Sequence, residues 1–221
     1  MKEFFLNSPC DGLRLAVTLA EPECQAKGIV QLVHGMCEHK ERYYEFMEWL
    51  ADKGYICIIH DHRGHGASVK KPEDLGYMYA GGWKAMVDDV KAVGDWARDT
   101  FPGYGVTLFG HSMGSLVVRS YTKRYDDSIE RLFVCGSPSD NPAKGAGKLI
   151  ADVTGTVLGW HYRSKLMQSL SFGAYNKAFE GEHDEKGRPY HSAWVCSDRD
   201  VLDNYHADPL CQFIFTANGF S

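Results

Sequence analysis

The sequence predicts an α/β protein with a mostly parallel sheet and helices on both of its faces. Two apolar runs, GIVQLVHG (28–35) and YICIIHD (55–61), have the continuous hydrophobicity of strands that are buried on both sides. Between them, ERYYEFMEWLADKG (41–54) carries apolar side chains at helical spacing and stops at a glycine. A strand, a helix and a second strand in this order predict a βαβ unit with a right-handed crossover.

The same alternation continues through the next 80 residues. A helical pattern, a strand, a second helical pattern and a further strand follow one another at 83–101, 106–110, 112–125 and 131–138. At the N-terminus, two short strand-like runs at 4–6 and 14–20 flank the turn Pro9-Cys10-Asp11-Gly12. We therefore expect an antiparallel opening before the parallel part of the sheet.

The pattern changes at about residue 140. Residues 140–210 are rich in Gly, Trp, Tyr and Phe and contain helix-like pieces at 146–160 and 165–179, without a strong buried-strand run. We expect residues 1–139 to form the N-terminal part of the sheet core and residues 140–210 to form a helical cap inserted over one end of the sheet. Residues 211–221 are expected to return toward the core.

Composition narrows the function classes. The 221 residues contain 24 Lys plus Arg and 29 Asp plus Glu, and this net charge of −5 gives no electrostatic case for a nucleic-acid partner. The start, MKEFFLNSPCDG, has no long apolar segment, and no window reaches the roughly 18 apolar residues of a membrane span. The seven cysteines are scattered without a C-x-x-C pair. We expect a cytoplasmic protein with reduced thiols.

The segment Gly110-His111-Ser112-Met113-Gly114 has the pattern G-x-S-x-G between a predicted strand and a predicted helix. This context defines a nucleophile elbow, in which a sharp turn holds the serine hydroxyl exposed at the carboxyl end of the sheet. The glycines let the backbones of strand and helix approach closely. Ser112 is therefore the candidate nucleophile.

A second candidate element, His34-Gly35-Met36, follows the strand that ends in VQLV. An oxyanion hole at a nucleophile elbow uses the N–H after the nucleophile and one N–H from the loop after an earlier strand. The backbone amides of Met113 and Met36 occupy these two positions. Together they would stabilise one developing negative charge.

The motifs HGMCEHKERY (34–43), DHRGHGAS (61–68) and GHSMGS (110–115) together resemble the serine hydrolases of the α/β-hydrolase fold that include monoacylglycerol lipases and bacterial lysophospholipases, the serine aminopeptidase S33 type. The segments at 172–179 and 205–220 resemble the cap and post-cap motifs of that family. The resemblance implies Ser112 as nucleophile and the Met36 and Met113 amides as oxyanion donors. It also implies hydrolysis of acylglycerol- or lysophospholipid-like esters through an acyl-Ser112 intermediate, without a cofactor.

The triad acid and histidine have no counterpart in the sequence. In this fold they follow the nucleophile, on loops after later strands. Several candidates after Ser112 belong instead to the predicted cap: Asp198, Asp200, Asp203, Asp208, His183, His191 and His206. We therefore expect a C-terminally truncated hydrolase that is nearly inactive by itself, with an unpaired sheet edge open to another chain. The alternative is a non-catalytic module that binds an apolar ligand in a hydrolase-like pocket.

Two further patterns have competing interpretations. His60-Asp61-His62-Arg63-Gly64-His65 has the histidine spacing of a metal loop, but Gly64 stands where that motif requires an aspartate, so we expect no metal. A spaced apolar stripe lies in the first cap helix, at Leu149, Ile150, Val153, Val157 and Leu158. Such a stripe either packs against the rest of the domain or forms an acyl-binding lid that also offers peripheral contact with a membrane.

Overall fold

The computed structural model describes residues 1–139, 144–184, 187–190 and 192–221. The chain divides into two compact units, Met1–Asn141 and Pro142–Ser221, which we call the core unit and the C-terminal unit. Residue 140, where the predicted cap begins, and His191, one of the histidines considered above, lie outside the described residues.

The core unit is built on a six-stranded sheet. Its strands are Lys2–Asn7 (β1), Arg14–Ala20 (β2), Ile29–Val33 (β3), Ile56–His60 (β4), Val106–His111 (β5) and Arg131–Cys135 (β6). They lie in the order β1-β2-β4-β3-β5-β6. The β1–β2 and β2–β4 pairs are antiparallel, whereas β4–β3, β3–β5 and β5–β6 are parallel. The predicted antiparallel opening and the parallel βαβ strands are both confirmed.

Helices cover both faces of this sheet, as the sequence predicts. They are Tyr44–Asp52 (α1), Gly82–Thr100 (α2) and Met113–Tyr125 (α3), with short 3-10 helices at Lys40–Tyr43, Pro72–Asp74 and Asp126–Ser128. Alternate residues of β3 belong to two different cores: Ile29 clusters with Val93 of α2, and Val30 with Met47 of α1. The strands are therefore buried on both sides, which explains their continuous apolar sequences.

The outer strand β6 is the exception to this burial. All five of its residues are exposed, and Phe133 exposes 54% of its surface. A cleft of about 480 Å³ lies beside it, and its lining includes the apolar side chains of Val30, Phe46, Leu50, Phe109 and Phe133 together with the charged side chains of Lys27, Glu130 and Arg131. Phe46 and Leu50 of α1 both line this cleft, and Met47 and Leu50 are the buried residues of the helix.

The C-terminal unit is helical. It contains Lys144–Leu158 (α4), Lys165–Ala178 (α5), the 3-10 helix Ala193–Val195, Arg199–Ala207 (α6) and Ala217–Phe220 (α7). The two helices predicted for the cap are present. Four residues of the apolar stripe expose 55–72% of their surface, namely Leu149, Val153, Val157 and Leu158. Within the described residues, no helix is both long enough and apolar enough to cross a bilayer.

Candidate active site

Ser112 occupies the sharp turn between β5 and α3. Its backbone has φ +51° and ψ −117°, a conformation that is strained for any residue with a β-carbon. The Ser112 N–H donates to the carbonyl oxygen of Cys135 at 3.0 Å, which places the turn at the carboxyl ends of β5 and β6. The side chain is half-buried. This is the geometry expected of a nucleophile elbow.

The two glycines of the motif are required by close packing. A β-carbon on Gly110 would lie 2.5 Å from the side chain of Val118 and 2.6 Å from the carbonyl oxygen of Gly114. A β-carbon on Gly114 would lie 2.5 Å from the carbonyl oxygen of His34 and closer still to that of Val33. The start of α3 therefore rests directly on the end of β3, where the predicted oxyanion loop begins.

We call residues Gly35–Glu38 the oxyanion loop. A β-carbon on Gly35 would lie 3.1 Å from the Ser112 β-carbon, so the loop backbone lies against the candidate nucleophile. Cys37 in this loop has φ +53°, so it is, like Ser112, a non-glycine residue in a strained conformation. Among the described residues, no group accepts a hydrogen bond from the amide of Met36 or Met113.

His34 immediately precedes the oxyanion loop and contacts its first residue. It is fully buried, and its Nε2 accepts from the His62 N–H at 2.9 Å while its Nδ1 lies 2.8 Å from the Gly35 carbonyl oxygen. Burial, with smaller contributions from His62 and His65, lowers the pKa of His34 well below its ordinary value. His34 is thus a neutral structural residue rather than a proton carrier.

Glu38 connects the oxyanion loop to the elbow. Its Oε1 accepts from the Gly35 N–H, from the Tyr43 hydroxyl at 2.8 Å, and lies 3.2 Å from Nδ1 of His111. The Tyr43 hydroxyl also lies 3.1 Å from the same His111 nitrogen. Neither Glu38 nor Tyr43 is predicted as a site residue from the sequence. The presence of the acidic residue Glu38 within HGMCEHKERY could have indicated such a role, but its partner His111 lies 73 residues further along the chain.

The charges of this cluster are mutually stabilised. Burial by itself would raise the pKa of Glu38, but the hydrogen bond from His111, the charge of that residue and the hydrogen bond from Tyr43 outweigh it and lower the pKa to about 2. The hydrogen bond to Glu38 in turn raises the pKa of His111. A carboxylate and an imidazolium are therefore favoured next to Ser112.

The side chains of the loop after β4 are engaged in structural contacts. Asp61 accepts from the backbone N–H groups of Lys40 at 2.7 Å and Ala67 at 2.8 Å. Arg63 is fully buried and forms an ion pair with the buried Asp89 at 2.8 Å. The backbone N–H of His62 donates to Nε2 of His34. These contacts engage three residues of the metal-like motif, Asp61, His62 and Arg63, within the protein.

Within the core unit, no described carboxylate or histidine forms a hydrogen bond with the Ser112 hydroxyl. The candidates of the C-terminal unit have local contacts. Asp198 caps α6, Asp203 accepts from Tyr190, and Asp208 accepts from the Leu210 N–H. Nδ1 of His183 lies 2.6 Å from the Gly181 carbonyl oxygen, and the His206 ring lies 5.0 Å from that of Tyr190.

Comparison with known proteins decides the family. Residues 24–221 match the family described as serine aminopeptidase, S33. The chain belongs to this S33 family. The expected resemblance is therefore confirmed, and the elbow and oxyanion loop of this S33 protein both fall within the matched residues.

Named relatives agree with the assignment. The chain is 29% identical over 199 residues to a monoacylglycerol lipase of Mycolicibacterium smegmatis and 32% identical over 201 residues to the human monoglyceride lipase. Both alignments cover 90% of this chain. The S33 protein spans 61% and 57% of these relatives, which is about three fifths of their length.

Solved structures confirm the fold. A thermostable carboxyl esterase from Bacillus coagulans superimposes with a TM-score of 0.87 at 21% identity, covering 99% of this chain and 70% of the esterase. A soluble variant of monoglyceride lipase from Saccharomyces cerevisiae gives a TM-score of 0.68 at 17% identity, with 99% and 66% covered. At these identities the likeness establishes the α/β-hydrolase fold.

Proposed function

We propose that this S33 protein carries a carboxylic-ester hydrolase site with Ser112 as nucleophile. The observation that supports this most directly is the packing of the oxyanion loop against a strained serine, with Gly35 in contact with Ser112. Strain of about 1–3 kcal/mol at a non-glycine residue persists only where the surrounding structure enforces it, and such positions concentrate at functional sites.

In the proposed reaction, Oγ of Ser112 attacks the ester carbonyl carbon while its proton passes to a general base. The amides of Met36 and Met113 stabilise the negative oxygen of the tetrahedral intermediate. Collapse of the intermediate releases the alcohol, which receives that proton, and leaves acyl-Ser112. Water then attacks the acyl carbon while the base takes one of its protons, and the bond from the acyl carbon to Oγ breaks as the base returns that proton to Oγ, so the acid product and free Ser112 are released.

The proposed substrates are esters that carry an acyl chain, of the monoacylglycerol or lysophospholipid class. The names of the relatives support this class, since they include monoacylglycerol lipases and a probable lysophospholipase L2 of Haemophilus influenzae. The exposed apolar stripe of α4 supports a role for the C-terminal unit as an acyl-binding lid with peripheral membrane contact. The scattered cysteines favour a cytoplasmic location.

We further propose that the triad acid and histidine reach Ser112 on a polypeptide segment that pairs with β6. Without a base, a serine hydroxyl is a weak nucleophile at neutral pH. The exposed edge of β6 and its apolar cleft offer unpaired backbone groups and uncovered side chains to such a segment. A strand added parallel to β6 would end at the same edge of the sheet as Ser112.

Fatty-acid release from a monoacylglycerol and from a lysophospholipid tests both proposals. Removal of a triad member lowers kcat by about 10⁴ or more, so from a typical 10 s⁻¹ we expect at most about 10⁻³ s⁻¹ for these 221 residues. Turnover of several per second that Ser112→Ala abolishes would confirm the hydrolase and contradict the need for a further segment. Tight binding of either lipid without any release, unchanged in Ser112→Ala, would favour the non-catalytic binding module.

A further inference from the structure

The Glu38 carboxylate lies at the meeting point of three chain segments. Its side chain is 12% exposed. The oxygen Oε1 contacts the Gly35 N–H of the oxyanion loop, the hydroxyl of Tyr43 in the following 3-10 helix, and the ring of His111, which precedes Ser112. A single carboxylate oxygen thus contacts Gly35, which precedes Met36, and His111, which precedes Ser112.

The oxyanion loop requires such a restraint. Cys37 holds a positive φ, and a β-carbon on Gly35 would lie 3.1 Å from that of Ser112, which is tighter than most contacts of a β-carbon. A strained loop relaxes unless its surroundings over-determine it. The hydrogen bond from the Gly35 N–H to a charged carboxylate is among the stronger restraints that a backbone amide can have.

We propose that Glu38 is a positioning residue that fixes the oxyanion loop against the nucleophile elbow. It acts through Gly35 on one side and His111 on the other, and it does not touch the reacting atoms. The proposal rests on the proposed function of Ser112, since it assigns Glu38 to the geometry of that oxyanion hole.

The other charged and titratable groups around Glu38 are compatible with this role. Arg42 places its Nε 3.6 Å from the second carboxylate oxygen, Oε2. Burial and the adjacent carboxylate raise the pKa of the Tyr43 phenol, so Tyr43 remains a donor. His34 and His65 also lie near Glu38. Burial lowers the pKa of each imidazole, so neither competes with His111 as the cationic partner of Glu38.

Nuclear magnetic resonance of the folded chain tests the proposal without any turnover. The two readouts are the pKa of His111 from its ring resonances and the hydrogen-exchange rate of the Gly35 amide. In the unmodified protein we expect a His111 pKa above 6.5 and a protected Gly35 amide.

Two substitutions separate the charge of Glu38 from its hydrogen bond. Glu38→Gln retains an oxygen that accepts from Gly35 but removes the charge, so we expect the His111 pKa to fall by about one unit or more with Gly35 still protected. Glu38→Ala removes both, and Gly35 exchange should also rise by about 10- to 100-fold. Glu41→Gln, at an exposed acid of the same segment, is the matched control and should change neither readout.

A His111 pKa at or below 6.5 in the unmodified protein would overturn the proposal, even if no Glu38 variant folds. Unchanged His111 titration in Glu38→Gln, or an unchanged Gly35 exchange rate in Glu38→Ala, would overturn it as well. Because neither readout depends on ester hydrolysis, a failure here is distinct from failure of the proposed function. If Ser112 were unreactive while the Glu38 contacts were intact, the proposed hydrolase function alone would be contradicted.

Discussion

Gly35 lies directly against Ser112, and a β-carbon at position 35 would sit 3.1 Å from the β-carbon of the serine and 2.6 Å from Oε1 of Glu38. This contact joins the loop after β3 to the elbow after β5, two segments that are adjacent because their strands are paired in parallel. The proposed oxyanion hole is a consequence of that pairing.

Gly35→Ala should therefore impair the chemistry of Ser112. The added methyl group displaces the loop and with it the Met36 amide, and loss of one oxyanion donor typically reduces the rate by about 10²- to 10³-fold. The rate constant for modification of Ser112 by a fluorophosphonate measures this effect. Gly28→Ala is the control for substitution of a glycine in the core unit, because a β-carbon there would make only ordinary contacts, the nearest at 3.4 Å from the Gly105 carbonyl oxygen. Equal rates for Gly35→Ala and the unmodified protein would contradict the assignment of the loop.

Ser112→Gly should increase the free energy of unfolding by about 1 kcal/mol. Glycine adopts φ +51° without the steric cost that serine has there, and this relief should outweigh the greater entropy of the unfolded chain. Chemical denaturation measures the change. Ser120→Gly within α3 is the matched control, and it should decrease stability by roughly 0.5–1 kcal/mol. Destabilisation by both substitutions would mean that the elbow is not strained.

Gly114→Ala should destabilise the core unit by more than about 3 kcal/mol or prevent folding. Its methyl group would overlap the carbonyl oxygens of Val33 and His34, which belong to the backbone and have little freedom to move. Gly147→Ala in α4 provides the contrast, because nothing lies within 4 Å of a β-carbon there. That substitution should stabilise the helix by roughly 0.5–1 kcal/mol. Similar unfolding midpoints for the two variants would contradict the described contact between α3 and β3.

The sequence predicts those parts of the fold and the site that depend on local patterns. The runs around Ile29 and Ile58 predict buried strands because both of their faces are covered, and Gly110 and Gly114 predict the elbow because the turn excludes side chains. The Glu38–His111 contact was not predicted, since it joins residues that only the tertiary fold brings together. The exposure of Phe133 was also not predicted, because RLFVC has the composition of a strand covered on both faces.

His60→Leu should make the protein less sensitive to acid. His60 is fully buried, and its two ring nitrogens have no hydrogen-bond partner in the described part of the chain. Burial, with a smaller contribution from Arg63, lowers the pKa of His60 to about 3. The neutral ring therefore contributes stability above the unfolded pKa of about 6.5, and this stability is lost as the pH falls from there toward 3.

Each histidine of this kind lowers the free energy of unfolding by about 1.4 kcal/mol for every pH unit of acidification within that window. Denaturation of the unmodified protein and His60→Leu between pH 7.5 and pH 4 should show a shallower decline for the variant by about this slope. At pH 7.5 the variant should be at least as stable, since it removes a buried polar group that has no partner. If the stability of both proteins declined in parallel with pH, the pKa of His60 would not be lowered in the folded state and the ring would become protonated there.

We propose that Ser112 is a nucleophile set in an oxyanion hole and that its base lies outside the described core unit. The most direct measurement is the rate of Ser112 modification by a fluorophosphonate, followed by intact mass and peptide mapping, with and without added imidazole as a substitute base. We predict slow labelling of one site, acceleration by imidazole, and no labelling of Ser112→Ala. Labelling that stays absent in imidazole, or that persists in Ser112→Ala, would contradict the assignment of the nucleophile. Rapid labelling that imidazole does not accelerate would instead show that the base is already present.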